Sequence, residues 1–300
     1  MRSDKYKDIE AGDRDYETCV LEAKEADEIT VDKKSEKDKK ENMSKKTNNR
    51  VKRNSAMDWA FRVIIFCLVC VIVISGYKVG TALYKYHHSR SGFKQVAKEA
   101  KVDPNQFTGV VDFAALQKVN SDVVGWIYVE AVPDINYPVV HGKDNETYLH
   151  HTYEKNYNFA GTIFVDYENK GDFNDCNTIV YGHNMKNGSM FAQLKKFSSN
   201  SDTYEKSKYF WIFTPEKNYR YEIISAYTTG AKSDTYTLFK GPGEEFQEYL
   251  KKIRGYSEIQ TDAGDLTVKD KIVTLSTCTG NQATRYVVQG RRVDSLDVAQ

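Results

Sequence analysis

Three residues in the second half of the chain carry side chains that could together break and re-form an amide: a thiol, an imidazole and a guanidinium. Cys278 closes the run Lys271-Ile-Val-Thr-Leu-Ser-Thr-Cys278, whose β-branched and apolar residues predict a strand. Residues 279–284 are polar and include Gly280, which predicts a turn, and Arg285-Tyr-Val-Val288 begins a second strand. Such a hairpin sets the thiol at the end of one strand against the guanidinium at the start of the next. His183 lies in Tyr181-Gly-His-Asn-Met185, at the end of its own β-rich run, and is the imidazole that could make the thiol nucleophilic.

A free thiol titrates near ~8.5 and an imidazole near ~6.5, so with independent values about one molecule in a hundred holds thiolate and imidazolium together at neutral pH. That pair is what acyl transfer needs, the thiolate to attack a carbonyl and the imidazolium to protonate the departing amine. A population of about one per cent corresponds to about 2.7 kcal/mol, which an enzyme can tolerate or partly remove. Arg285 stays charged throughout and suits the thiolate, the oxyanion of a tetrahedral intermediate and the orientation of a substrate carbonyl. Taken singly, each residue has a structural explanation: a core cysteine, a strand-end histidine, a solvated arginine. Their occurrence together in ordered motifs outweighs those explanations.

The motifs also resemble a known family. Thr274-Leu-Ser-Thr-Cys278 matches the TLxTC signature of the sortases, the cysteine transpeptidases of Gram-positive cell surfaces. Arg285 falls where that family keeps its arginine, and Tyr181-Gly-His-Asn-Met185 resembles the histidine segment of its class B branch. The likeness covers roughly the last two-thirds of the chain. It implies that His183, Cys278 and Arg285 are catalytic, and that Cys278 forms a thioester with an extended, NPxT-like sorting signal of a secreted protein. A peptidoglycan amine then resolves the thioester, and no cofactor takes part. The segment Asp144-Asn-Glu-Thr-Tyr-Leu149 resembles the class B segment that lines the substrate groove, which assigns Asn145 and Leu149 to that groove, with Ser276 as a further position. An Asn amide can satisfy a peptide backbone group and a Leu can pack a proline, while the competing reading of Asn145 is a turn residue.

One departure is Thr279, which stands where some class B members carry an acidic residue, so a supporting role for such a residue is in doubt here. Three other readings stay open or fall away. A pilus-assembling sortase would use a pilin lysine as acceptor, and an inert surface-anchored peptide-binding module would share the barrel. A papain-like hydrolase would place its cysteine before its histidine and at a helix start, the reverse of this order.

The elements that must position these residues are mainly β. Short β-type runs at 123–129, 135–140, 162–165, 177–181, 209–214 and 219–228, followed by the hairpin, predict a closed β-barrel. Helices predicted at 112–119, 189–197 and 243–253 would lie at its periphery; the last puts Phe246, Tyr249, Leu250 and Ile253 on one face. Ahead of this catalytic domain (105–300), residues 1–57 are dense in Lys, Glu and Asp and predict a disordered cytoplasmic tail, a mixed-charge helix at 17–40 being the alternative. Residues 58–79 predict a transmembrane anchor, and 80–104 a helical stalk broken at Asp103-Pro104. A buried core helix and a cleaved signal peptide are the competing readings of 58–79. Lys45, Lys46, Arg50, Lys52 and Arg53 precede the span, so the positive-inside bias leaves the catalytic part outside the cell.

A formal charge of +1 over 300 residues gives no reason to expect nucleic acid as a partner, and five cysteines are too few for a disulfide scaffold. The pair His150-His151 lacks companions at ligand spacing, so no metal site is expected there. Asp166, Glu168, Asp172 and Asp175 lack a calcium-loop pattern and read as a solvated acidic loop.

Overall fold

The computed structural model describes residues 55–102 and 109–298. The predicted tail up to residue 54, its alternative helix at 17–40 and the Asp103-Pro104 break lie outside the described residues. The chain divides into two units, Met1–Val69 and Cys70–Gln300. Helix α1 (Ser55–Glu99) begins in the first and ends in the second, and it runs unbroken through the predicted anchor–stalk boundary. Its segment Trp59–Lys85 is long and apolar enough to cross a membrane and none of its most apolar window is buried, which is not how a soluble core helix behaves.

In the second unit eight strands close into a barrel: β1 (Val123–Val129), β2 (Asn136–His141), β3 (Ile163–Val165), β4 (Asn177–Tyr181), β5 (Tyr209–Phe213), β6 (Lys217–Gly230), β7 (Ile272–Cys278) and β8 (Thr284–Asp297). Their order around the barrel is β1-β2-β3-β4-β7-β8-β6-β5, with β5 pairing back to β1. The contacts β2–β3 and β4–β7 are parallel and the others antiparallel. The predicted strands all form, within a few residues at their ends. His141 is the last residue of β2.

Ile127, Val165, Val180, Ile212, Val273, Leu275 and Val288 project into one core, closed by Phe191, Phe197 and Phe210. Every residue of β7 from Ile272 to Thr277 is buried, because the strand is covered on both faces. Its outer cover includes helix α5 (Glu244–Gly255), after α2 (Phe113–Val119), α3 (Lys196–Ser199) and α4 (Asp202–Lys206) in chain order. The predicted face of α5, Phe246, Tyr249, Leu250 and Ile253, packs with Ile224 of β6 and Ile272 of β7. The predicted helix at 189–197 is realised as a turn, a 3₁₀ segment Ala192–Lys195 and the one-turn α3, since Phe191, Leu194 and Phe197 are each drawn into the core.

A further core joins the last turn of α1 to the barrel wall: Val96, Ala97 and Ala100 pack with Phe113 and Leu116 of α2 and with Trp126, Tyr148 and Tyr153. Asp112 caps α2, its carboxylate accepting from the Ala115 amide at 3.0 Å as its sequence position predicts. Truncating Phe246 to alanine empties the centre of the α5–barrel contact. The expected result is a loss of about 3–5 kcal/mol in denaturant unfolding of the full chain in detergent; a loss below about 1 kcal/mol would contradict the burial described.

Candidate active site

The parallel ladder between β4 and β7 determines where the site forms. Asn177 to Tyr181 run beside Ile272 to Ser276 in register, so both strands end at the same rim of the barrel. The pairing continues past the strand end, where the Gly182 amide donates to the Ser276 carbonyl at 3.1 Å and the Asn184 side-chain amide donates to the Cys278 carbonyl at 2.8 Å. His183 is thereby held beside the end of β7. On the other side β7 pairs with β8, with Cys278 opposite Arg285. Three neighbouring strands deliver imidazole, thiol and guanidinium to one pocket of about 260 Å³. All three residues are half-buried.

The His183 ring is fixed by a main-chain group. Its Nε2 lies 2.8 Å from the carbonyl oxygen of Leu149. A carbonyl only accepts, so Nε2 carries a proton whether the ring is neutral or charged, and Nδ1 is the atom that gains or loses one. Burial lowers the His183 pKa; the Leu149 carbonyl opposes that shift and the neighbouring His150 adds to it. His150 lies 5.8 Å from the His183 ring, stacked at 26°. Arg285 turns one nitrogen, Nη1, to the carbonyls of Gln282 and Thr284 at 2.8 and 2.9 Å, which anchors the guanidinium on the loop that follows Cys278. In that loop Thr279, in the place of an acidic residue, hydrogen-bonds the hydroxyl of Thr284.

Asn145, Leu149 and Ser276 all line the same pocket. Asn145 sits in a bend and also lines the pocket. Its Oδ1 accepts from the Tyr167 amide at 3.0 Å, and its Nδ2 donates to Asp166 Oδ2 at 2.9 Å. Asp166 is a correction to the sequence reading: it is not solvated but 6% exposed, and the same oxygen accepts from the Tyr181 hydroxyl at 2.9 Å. Ser276 is buried, with its hydroxyl 2.8 Å from that of Tyr236.

Tyr236, Tyr181 and Phe164 complete the apolar lining and were not singled out from the sequence. Tyr236 comes from the 3₁₀ turn Asp234–Tyr236, which is tied down from behind: Asn177 Nδ2 donates to the carbonyls of Thr235 and Thr237, and the Tyr249 hydroxyl donates to that of Thr235 at 2.9 Å. Burial raises the pKa of both Tyr181 and Tyr236, which keeps these phenols neutral. Cys176 and Cys278 are both free, so the thiol at the rim is not engaged in a disulfide.

A closed eight-stranded barrel with thiol, imidazole and guanidinium at the ends of three adjacent strands defines a cysteine acyl-transfer scaffold. Comparison with known proteins gives it a family. A sortase-domain family model matches residues 127–293. Sortase B of Listeria monocytogenes is 38% identical over 232 residues, covering 74% of this chain and 92% of that protein. Among solved structures, sortase B of Clostridium perfringens is 39% identical with a TM-score of 0.56, covering 61% of this chain and all of that one. The Staphylococcus aureus sortase B–substrate complex is 29% identical with a TM-score of 0.61, covering 72% of this chain and all of that one. The chain belongs to the sortase family, and within it to class B. Membership implies a cysteine transpeptidase.

His150 offers a direct check on the electrostatics of the site. Replacing it with glutamine removes a like charge beside His183, so the His183 titration midpoint moves up. Imidazole NMR signals followed against pH in the His150→Gln chain read this out, and an unchanged or lower midpoint would contradict the charge coupling between the two rings.

Proposed function

We propose that this chain is a single-pass membrane enzyme that cleaves an NPxT-like, C-terminal sorting signal of secreted proteins and transfers them to an amine of the cell-wall peptidoglycan. The observation that carries this reading is the convergence of His183, Cys278 and Arg285 on one pocket together with Asn145, Leu149 and Ser276. The pocket is open to solvent along an apolar wall of Phe164, Tyr181 and Tyr236, which suits an extended peptide bearing a proline.

In this mechanism the Cys278 thiolate attacks the carbonyl carbon of the scissile amide and forms a tetrahedral oxyanion. Arg285 stabilises that oxyanion as it develops, inside a site whose other lining groups are largely uncharged. His183 delivers the proton on Nδ1 to the departing amine, the C–N bond breaks and a thioester remains on Cys278. The now neutral Nδ1 takes a proton from the incoming amine, which attacks the thioester and releases Cys278 as thiolate. Burial of His183 makes the imidazolium scarcer than independent titration suggests, so the pair forms with the help of Arg285 and of bound substrate.

The remainder of the chain fits surface display. Residues 58–79 form the anchor of a domain arrangement with the tail 1–57 in the cytoplasm, a stalk at 80–104 and the catalytic barrel at 105–300 outside. The basic residues from Lys45 to Arg53 support that orientation.

The test uses the full chain in detergent with quenched peptides carrying NPxT-like signals, a small amine acceptor and intact-mass detection. Cleavage, a thioester adduct and transfer to the amine are expected, all lost in Cys278→Ala. Arg285→Lys keeps the charge but not the planar fork and is expected to lower kcat by about 10²-fold. Binding without cleavage would replace the reading with an inert peptide-binding module, and transfer confined to a pilin lysine would replace it with pilus assembly.

A further inference from the structure

We propose that Gly161 is a positioning residue for His183, acting through the main-chain carbonyl of Leu149; this rests on His183 being the general acid of the proposed reaction. The Leu149 carbonyl is in the place where a carboxylate commonly orients a catalytic histidine. Its direction is not set by a long helix or a sheet, because Thr147–Leu149 is a single 3₁₀ turn. The segment that follows sets it. The Tyr148 carbonyl accepts from the Thr162 amide at 2.9 Å, and the His150 carbonyl accepts from the Asn158 amide at 2.8 Å. The carbonyl between them, that of Leu149, is left to face His183.

Gly161 lies directly behind this arrangement. Its φ is +60°, and its amide donates to the Asn158 carbonyl at 2.9 Å. A Cβ at this position would stand 2.4 Å from the Tyr148 oxygen, 2.5 Å from the Leu149 oxygen and 2.8 Å from the Leu149 carbonyl carbon. These are backbone atoms with no flexible end to swing aside, so any side chain at 161 must move the 148–149 peptide units. The absence of a Cβ is what lets two successive carbonyls press on this residue. Moving the Leu149 oxygen releases Nε2–H of His183, frees the ring to rotate or change tautomer, and removes an acceptor that favours the imidazolium.

The other groups facing the ring come from separate elements. His150 stacks on it from the end of the 3₁₀ turn, and Cys278 and Arg285 of the β7–β8 hairpin share its pocket with Tyr181 and Tyr236. The three atoms nearest a Cβ at 161 belong to the Tyr148 and Leu149 main chain and to none of these groups, so a change at 161 meets the Leu149 carbonyl first.

The experiment compares Gly161→Asn with Gly188→Asn in the full chain. Asparagine tolerates the left-handed backbone better than other residues, which isolates the steric contact. Gly188 has a φ of +79° and open space around its Cβ position, so it reports backbone strain alone. Gly161→Asn is expected to lower kcat by about tenfold or more with KM changed less than about twofold. It should also move the His183 titration midpoint, and with it the acid limb of the kcat/KM profile, to lower pH. Gly188→Asn should do neither. A folded Gly161→Asn chain with an unchanged His183 midpoint and acid limb would overturn the proposal, whatever its stability. If neither Gly161→Asn nor Gly161→Ala folds, the neutral tautomer of His183 in ¹⁵N-labelled, unsubstituted chain decides: a proton on Nε2 upholds the proposal and one on Nδ1 overturns it. The midpoint and tautomer are read without turnover, so failure to cleave any sorting peptide defeats the proposed function and leaves this test standing.

Discussion

The parallel pairing of β4 with β7 is the constraint on which the site depends. Strands that ran antiparallel here would put His183 and Cys278 at opposite ends of the barrel. A slip of one residue would turn Cys278 and Ser276 to the other face of the sheet. The register from Asn177–Ile272 to Tyr181–Ser276, extended by the Gly182 and Asn184 hydrogen bonds, excludes both errors. A parallel pair needs a long crossover, and this chain uses it: β5, β6 and α5 lie between the two strands, and α5 covers the ladder it makes room for.

Around that ladder the charges are sparse. Among the described residues that line the pocket, Arg285 is the one with a permanent charge; the phenols are held neutral and Asp166 is turned behind the lining to serve Asn145 and Tyr181. In a half-buried pocket with no other fixed charge in its lining, a single cation is placed to act on negative charge that develops during a reaction. For His183 its own burial works in the opposite sense and disfavours the charged form. The site is therefore neutral in its imidazole and phenols at rest and suited to carrying opposite charges briefly, with the Leu149 carbonyl and Arg285 as their fixed counterparts.

Much of this was legible in the sequence because it rests on local chemistry. The β-branched run into Cys278, the polar turn and Arg285 specify the hairpin by themselves, and the face of α5 follows from the spacing of Phe246, Tyr249, Leu250 and Ile253. What escaped depends on contacts between distant segments. The oxygen that holds His183 belongs to a backbone 34 residues earlier, where nothing in the identity of Leu149 reveals it. Tyr236 reaches the pocket because Asn177, 59 positions upstream, and Tyr249 secure its turn. Asp166 looks like its acidic neighbours until Tyr181 and Asn145 are folded onto it. Composition placed it in solvent, and tertiary structure buried it.

The barrel order also has a temporal side. β7 and β8 are the last two strands in sequence, and they fill the gap between β4 and β6. Until both are in place β4 and β6 each present an unpaired edge, and the partners that must meet are far apart along the chain, the kind of pairing that forms slowly. The thiol lies on the strand that closes this gap. A chain that stops short of β7 therefore carries no assembled site: the pairing of β7 with β4 is also what sets Cys278 at the rim where His183 lies.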